Sequence, residues 1–165
     1  MALLERVLRL LDRVLLFLAG LAVLALMAVA TVNVCLRIFQ MPYRGAYEIV
    51  SFLGAVVIAF ALGYTQRRRS HIVVDILSET YPEGLKRVID ATGLLLSMAF
   101  FGIVSWVILE WGMRIARSGE VSETLKIIHY PFVYCVATGF AVLSLTLFFQ
   151  FLVAFGKQKE EVAKR

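Results

Sequence analysis

The chain has 165 residues, 61% hydrophobic and 18% charged, with a formal charge of +5. The apolar share exceeds and the charged share falls short of what a water-soluble domain carries, so the expected solvent is the bilayer. Four apolar runs can each cross about 30 Å of hydrocarbon as helix, and they use up most of the sequence. No separate soluble domain fits, and residues 1–165 read as a single all-α membrane domain.

At the N-terminus, Arg6, Arg9 and Arg13 precede an apolar run in which Ala28-Val29-Ala30 imitates a signal-peptide cleavage site. The run is longer than the roughly 7 to 15 residues of a signal core, so it reads as a retained first span, residues 14–38. Ahead of it, Glu5, Arg9, Asp12 and Arg13 fall three or four apart or side by side, with leucines on the other faces. This stripe suits a short amphipathic helix lying among lipid headgroups, or else a simple extension of helix one.

Residues 39–45 contain Pro42 and Gly45 and allow only a tight link, which makes the first helix a neighbour of the second, residues 46–64. Between the second and third spans, His71 to Tyr81 mixes Ile72, Val73, Val74, Ile76 and Leu77 with Asp75 and Glu79, the composition of a second interfacial helix. Pro82 suits the first turn of the third helix, whose span is residues 88–113. Gly119 suits that helix's end, the polar stretch to His129 follows, and Pro131 opens the fourth span, residues 131–155.

Charge orients these spans. Of the 17 Lys and Arg residues, twelve lie in the N-terminal arm, the middle connection and the C-terminal tail, while Arg37, Arg44, Arg114, Arg117 and Lys126 flank the other two connections. Basic residues are retained on the cytoplasmic side, so the expected topology has both termini inside. The positive balance thus records orientation, and it argues against nucleic-acid binding. Trp106, Trp111, Tyr130 and Tyr134 fall near the expected outer interface, where amphipathic rings settle.

Ionisable groups at membrane depth are costly and so are candidates for function. Arg37 ends helix one, Glu48 opens helix two, and Glu110 with Arg114 has the i, i+4 spacing of a same-face ion pair. They read as packing, snorkelling or subunit contacts, with contact to a transported solute as the alternative. No carboxylate lies at mid-depth in the first, second or fourth span. His71 and Asp75, four apart just inside the membrane, lack the further ligands a metal site needs and read as an anchor or headgroup contact. Cys35 and Cys135 form no CxxC pair or zinc set and read as buried small residues, although a disulfide is geometrically conceivable. Asn33, Thr31, Ser97 and Ser105 offer hydrogen bonds across helices, and Gly20, Gly54, Gly63, Gly93, Gly102 and Gly139 offer close approach. No phosphate loop or nucleophile beside a base is present, so no enzyme and no bound cofactor is expected.

Three stretches, in order, resemble the small membrane subunit of tripartite ATP-independent periplasmic (TRAP) transporters. Arg37-Ile38-Phe39-Gln40-Met41-Pro42 and Tyr47-Glu48 are similar to its R-x-F-x-x-P and W-x-E-like elements, and His71-Ile72-Val73-Val74-Asp75-Ile76-Leu77 to its H-I-x-V-D-x-L signature. Ser122-Glu123-Thr124-Leu125-Lys126-Ile127 resembles its S-x-T-L-x-I stretch. Tyr47 stands where the family usually has tryptophan, and Pro131 is displaced from the usual proline of helix four. The resemblance implies a noncatalytic scaffold in a bacterial inner membrane, paired with a large multi-span subunit that holds sodium and solute. A periplasmic binding protein would deliver an organic acid such as a dicarboxylate or a sugar acid. Arg37, Glu48, His71, Asp75, Glu110 and Arg114 are then candidate assembly residues, and Ser122, Glu123 and Thr124 candidate contacts of the periplasmic partner. The competing expectations are a small homodimeric exporter relying on Glu48 or Glu110, and a four-helix redox enzyme, which the missing CxxC disfavours.

Overall fold

Residues 2–38 contain no proline and a single glycine in a run rich in Leu, Ala and Val, so nothing in them breaks a helix. The computed structural model describes residues 2–41, 43–67 and 83–162, with side chains placed for 6–41, 43–66, 89 and 91–153, and residues 2–38 form one unbroken helix, α1 (Ala2–Ile38). Of the two expectations for the residues before the first span, a headgroup-bound helix or an extension of helix one, the structure shows the extension. Asp12, grouped with the charged stripe, is 2% exposed because that side of the extension faces the bundle. The second expected interfacial helix, residues 71–81, and Pro82 lie outside the described residues.

The end of α1 is a complete Schellman cap. The Met41 N–H donates to the Leu36 carbonyl at 3.0 Å and the Gln40 N–H to the Arg37 carbonyl at 3.1 Å. The position that favours glycine is held by Gln40 at φ 57°, a conformation that costs a side-chain-bearing residue about 1–2 kcal/mol. Immediately after this tight turn, α2 (Ala46–Arg67) begins, with Glu48 in its first turn, where the helix dipole favours an anion. The third helix, α3 (Glu83–Ser118), ends as expected at Gly119, whose φ of 67° and bond from its N–H to the Ile115 carbonyl at 3.1 Å close the last turn. The fourth, α4 (Tyr130–Val162), carries Pro131 in its first turn, and the His129 carbonyl accepts from the N–H groups of Phe132 and Val133.

All four helices are long and apolar enough to cross a membrane. In space their order is α1, α2, α4, α3: α2 and α4 are central, α1 leans on α2, and α3 leans on α4. The neighbouring of α1 and α2 expected from their short link is borne out. Burial follows this order: it is greatest along the apolar stretches of α2 and α4, slight along that of α1, and in α3 confined, among the described residues, to the C-terminal end at Gly112 and Ile115. The core lies where α1, α2 and α4 meet, around Ala19, Val56, Ala59 and Phe60, with Leu15, Phe132 and Phe140 against them.

Small residues set the closest seams. A Cβ on Gly139 would stand 2.7 Å from the Ala59 carbonyl oxygen, so α2 and α4 touch backbone to backbone there. Gly63, Gly102 and Gly54 also face neighbours, whereas Gly20 and Gly93 have open space. Between α3 and α4, Ser105 Oγ donates to the Ala137 carbonyl at 2.9 Å and Ser144 Oγ to the Met98 carbonyl at 3.1 Å. The cross-helix role expected of Ser105 is thus real. Asn33 does something else: its Oδ1 accepts the Tyr43 N–H at 3.1 Å and braces the first turn. Cys35 and Cys135 are free thiols; Cys135 is half-buried, but Cys35 is exposed on α1 and is not the buried small residue expected.

Candidate functional site: a carboxylate holding the 119–129 loop

Glu48 projects from the first turn of α2 at the end of the bundle shared by the 39–45 turn and the 119–129 loop. Three donors converge on it. Ser122 Oγ donates to Oε2 at 2.7 Å, the Thr124 N–H to Oε1 at 2.7 Å and the Leu125 N–H to Oε2 at 3.1 Å. Each oxygen of an ionised carboxylate accepts readily from such donors, and charge makes these bonds stronger than neutral ones. The expected Ser122, Glu123 and Thr124 stretch is therefore brought to Glu48, across more than seventy residues of sequence.

The loop closes on itself above that anchor. Val121 and Ile128 form an antiparallel bridge, the Ser122 N–H donates to the Ile127 carbonyl at 2.9 Å, and Lys126 takes φ 55° in the tight return. Leu125 drops onto Gly45, where any Cβ would collide with its side chain. Glycine is needed at that position because the loop lies directly on the start of α2. One turn further along α2, the Phe52 ring stacks on His129 at 5.8 Å and on Phe132 at 5.4 Å. Glu48 and Phe52 thus grip both limbs of the loop from one face of α2.

The remaining candidates stand apart from this cluster. Arg114 and Glu110 form the expected i, i+4 pair at 3.2 Å, both well exposed, on the side of α3 that no other described helix covers. Arg37 sits in the last turn of α1, where a cation complements the helix dipole and where its carbonyl serves the cap. Ser122 is buried and its hydroxyl is taken by Glu48, whereas Glu123 and Thr124 are exposed. His71 and Asp75 lie outside the described residues.

Three features escaped the sequence reading. Asp12 lies at the opposite end of the bundle, its carboxylate oxygen 3.2 Å from where a Gly63 Cβ would be, so Gly63 makes room for it. At that same end Gln66 Nε2 donates to Gln150 Oε1 at 3.2 Å and latches α2 to α4. His129, beneath the loop, has a buried Nδ1 with no hydrogen-bond partner among the described residues. The glycine at position 63 was a visible signal for the first. Nothing local marked the other two, since both depend on residues far away in sequence.

The geometry describes a braced end face, a carboxylate committed to its own chain, and no constellation for bond chemistry among the described residues. No curated protein and no solved structure matches the chain. The family described as tripartite ATP-independent periplasmic transporters, DctQ component, matches residues 26–156, a stretch holding the C-terminal part of α1, all of α2 and α3, most of α4 and the braced loop. The chain belongs to that family and is the small membrane subunit of a TRAP transporter.

Proposed function

We propose that this subunit is the noncatalytic flank of a sodium-coupled importer of organic acids, assembled in a bacterial inner membrane with a large multi-span subunit and served by a periplasmic binding protein. Both termini are cytoplasmic in this reading, and the 39–45 and 119–129 connections face the periplasm. The distribution of basic residues supports that orientation. Sodium and solute are held by the large subunit, and this chain binds neither.

The observation that carries the reading is the uncovered flank of α3. Among the described helices this apolar span packs chiefly on α4, and two turns before its end it exposes the Glu110–Arg114 pair on a side made otherwise of residues such as Ile103 and Trp106. Charges on either side of Trp111, at the rim of the hydrocarbon, are held best by polar partners, which a neighbouring membrane subunit supplies. The inner seam between α2 and α4 supports the same view, because backbone contact at Gly139 closes it to a solute.

Reconstitution tests this directly. The three components together should drive uptake of an organic acid along a sodium gradient, and the small subunit alone should give none. Sodium-driven uptake or export by this chain alone would refute the scaffold role and favour the exporter. Alanine at Arg37, His71, Asp75, Glu110 or Arg114 should lower copurification with the large subunit and leave the KM for solute unchanged in the complex that does form.

A further inference from the structure

The 119–129 loop is fixed from beneath at three levels. Glu48 takes donors from Ser122, Thr124 and Leu125, Leu125 covers Gly45, and His129 lies on Phe52. Lys126 is kept in the left-handed region, which a free chain would leave, by the bond from the Ser122 N–H to the Ile127 carbonyl and by the anchor on Leu125 next to it. Both oxygens of Glu48 are engaged by its own chain, which removes it as a ligand for solute.

The opposite edge of the loop is a surface. Val121, Ile127 and Ile128 are 39%, 39% and 56% exposed in a segment between the α3 and α4 spans, where lipid tails do not cover them. Exposed Glu120, Glu123 and Lys126 border them, and exposed Arg117 stands just before the loop. An apolar centre with a border of both charge signs is the make-up of a protein-binding patch, and it fits a soluble partner with a small apolar face edged by charges of both signs. A loop ordered in advance also spares a transient partner the entropy of ordering it, which matters most for a protein that must dock and leave in every transport cycle.

We propose that Glu48 is a positioning residue that sets the 119–129 loop as a preformed docking surface for the periplasmic binding protein, with Val121, Glu123 and Ile127 making contact and Ser122 serving the anchor. This rests on the reading that the loop faces the periplasm of a three-component importer.

The experiment uses the complete complex in proteoliposomes and measures uptake against the concentration of solute-loaded binding protein. E48Q retains the shape of the side chain but turns an amide NH2 toward at least one of the loop's donors. Its half-saturating concentration of binding protein should rise about tenfold, with maximal rate and copurification within about twofold of wild type. In the same complex, hydrogen exchange at the Thr124 and Leu125 amides should quicken by about tenfold or more. Glu123→Lys, on the exposed edge and outside the anchor, should raise half-saturation about threefold or more without changing those amides, which keeps the idea testable if E48Q assembles poorly. Unchanged half-saturation in Glu123→Lys, or in an E48Q complex that assembles, overturns the proposal, and so does unchanged exchange in E48Q. Failure of the wild-type complex to assemble or import would instead overturn the three-component reading before any variant is compared.

Discussion

Helices α2 and α4 meet backbone to backbone at Gly139 and Ala59, whereas α3, just as able to cross a membrane, touches α4 along one side and leaves Leu96, Phe100, Ile103 and Trp106 uncovered. In water such an uncovered side would be driven inward. In lipid it has no such drive, because a leucine is as well solvated by acyl chains as by another leucine. Contact between these helices is therefore decided by fit and by hydrogen bonds: the α2–α4 seam closes at glycine and alanine, the α3–α4 seam at Gly102, Gly112 and two serine bonds, and the far side of α3 meets no other described helix.

Substitutions at glycine separate the two regions most sharply. Gly139→Leu should be the most damaging, because the added side chain meets the Ala59 backbone, which cannot rotate away as a side chain would. Overpacking of this kind costs up to about 3 kcal/mol, and the purified subunit should melt well below wild type or fail to yield a monodisperse peak. A wild-type melting curve would mean that the central seam can part to admit a side chain. Gly93→Ala has no atom within 4 Å to meet and should stabilise α3 by about 0.5–1 kcal/mol through helix propensity, seen as a small rise in melting temperature. A marked loss there would reveal a contact on the flank. Ser105→Ala removes the bond to the Ala137 carbonyl and should cost about 0.6 kcal/mol, near the average for such bonds between membrane helices, measurable by unfolding in mixed micelles. A several-fold larger cost would make α3 more firmly tied than its exposed surface implies.

The ends of the bundle repeat the contrast between what is local and what is not. The Glu110–Arg114 pair was readable because four residues make one helical turn, and the end of α3 was readable because Gly119 tolerates positive φ. Gln40 and Lys126, which adopt positive φ without being glycine, gave no such notice. Glu48 was visible as an acid at a helix start, and its neighbours Ser122 and Thr124 as part of a family pattern, yet nothing in either stretch says that they bind each other. Asp12 misled for a related reason: a charged stripe near a terminus normally faces water or headgroups, and only the position of Gly63 on α2 reveals a place for it inside.

By itself the sequence determined the number of spans, their approximate limits, the tightness of the first turn and the family, because each of these follows from composition and spacing over one or two turns of chain. Only the tertiary structure decided the order α1, α2, α4, α3, the seat of α3 on α4 and the seizure of the 119–129 loop by Glu48. The physical reason is the solvent. Apolar residues surround α3 evenly, so no stripe marks a buried face, and in a bilayer the choice of neighbour falls to glycines, serines and carboxylates whose partners lie on other helices.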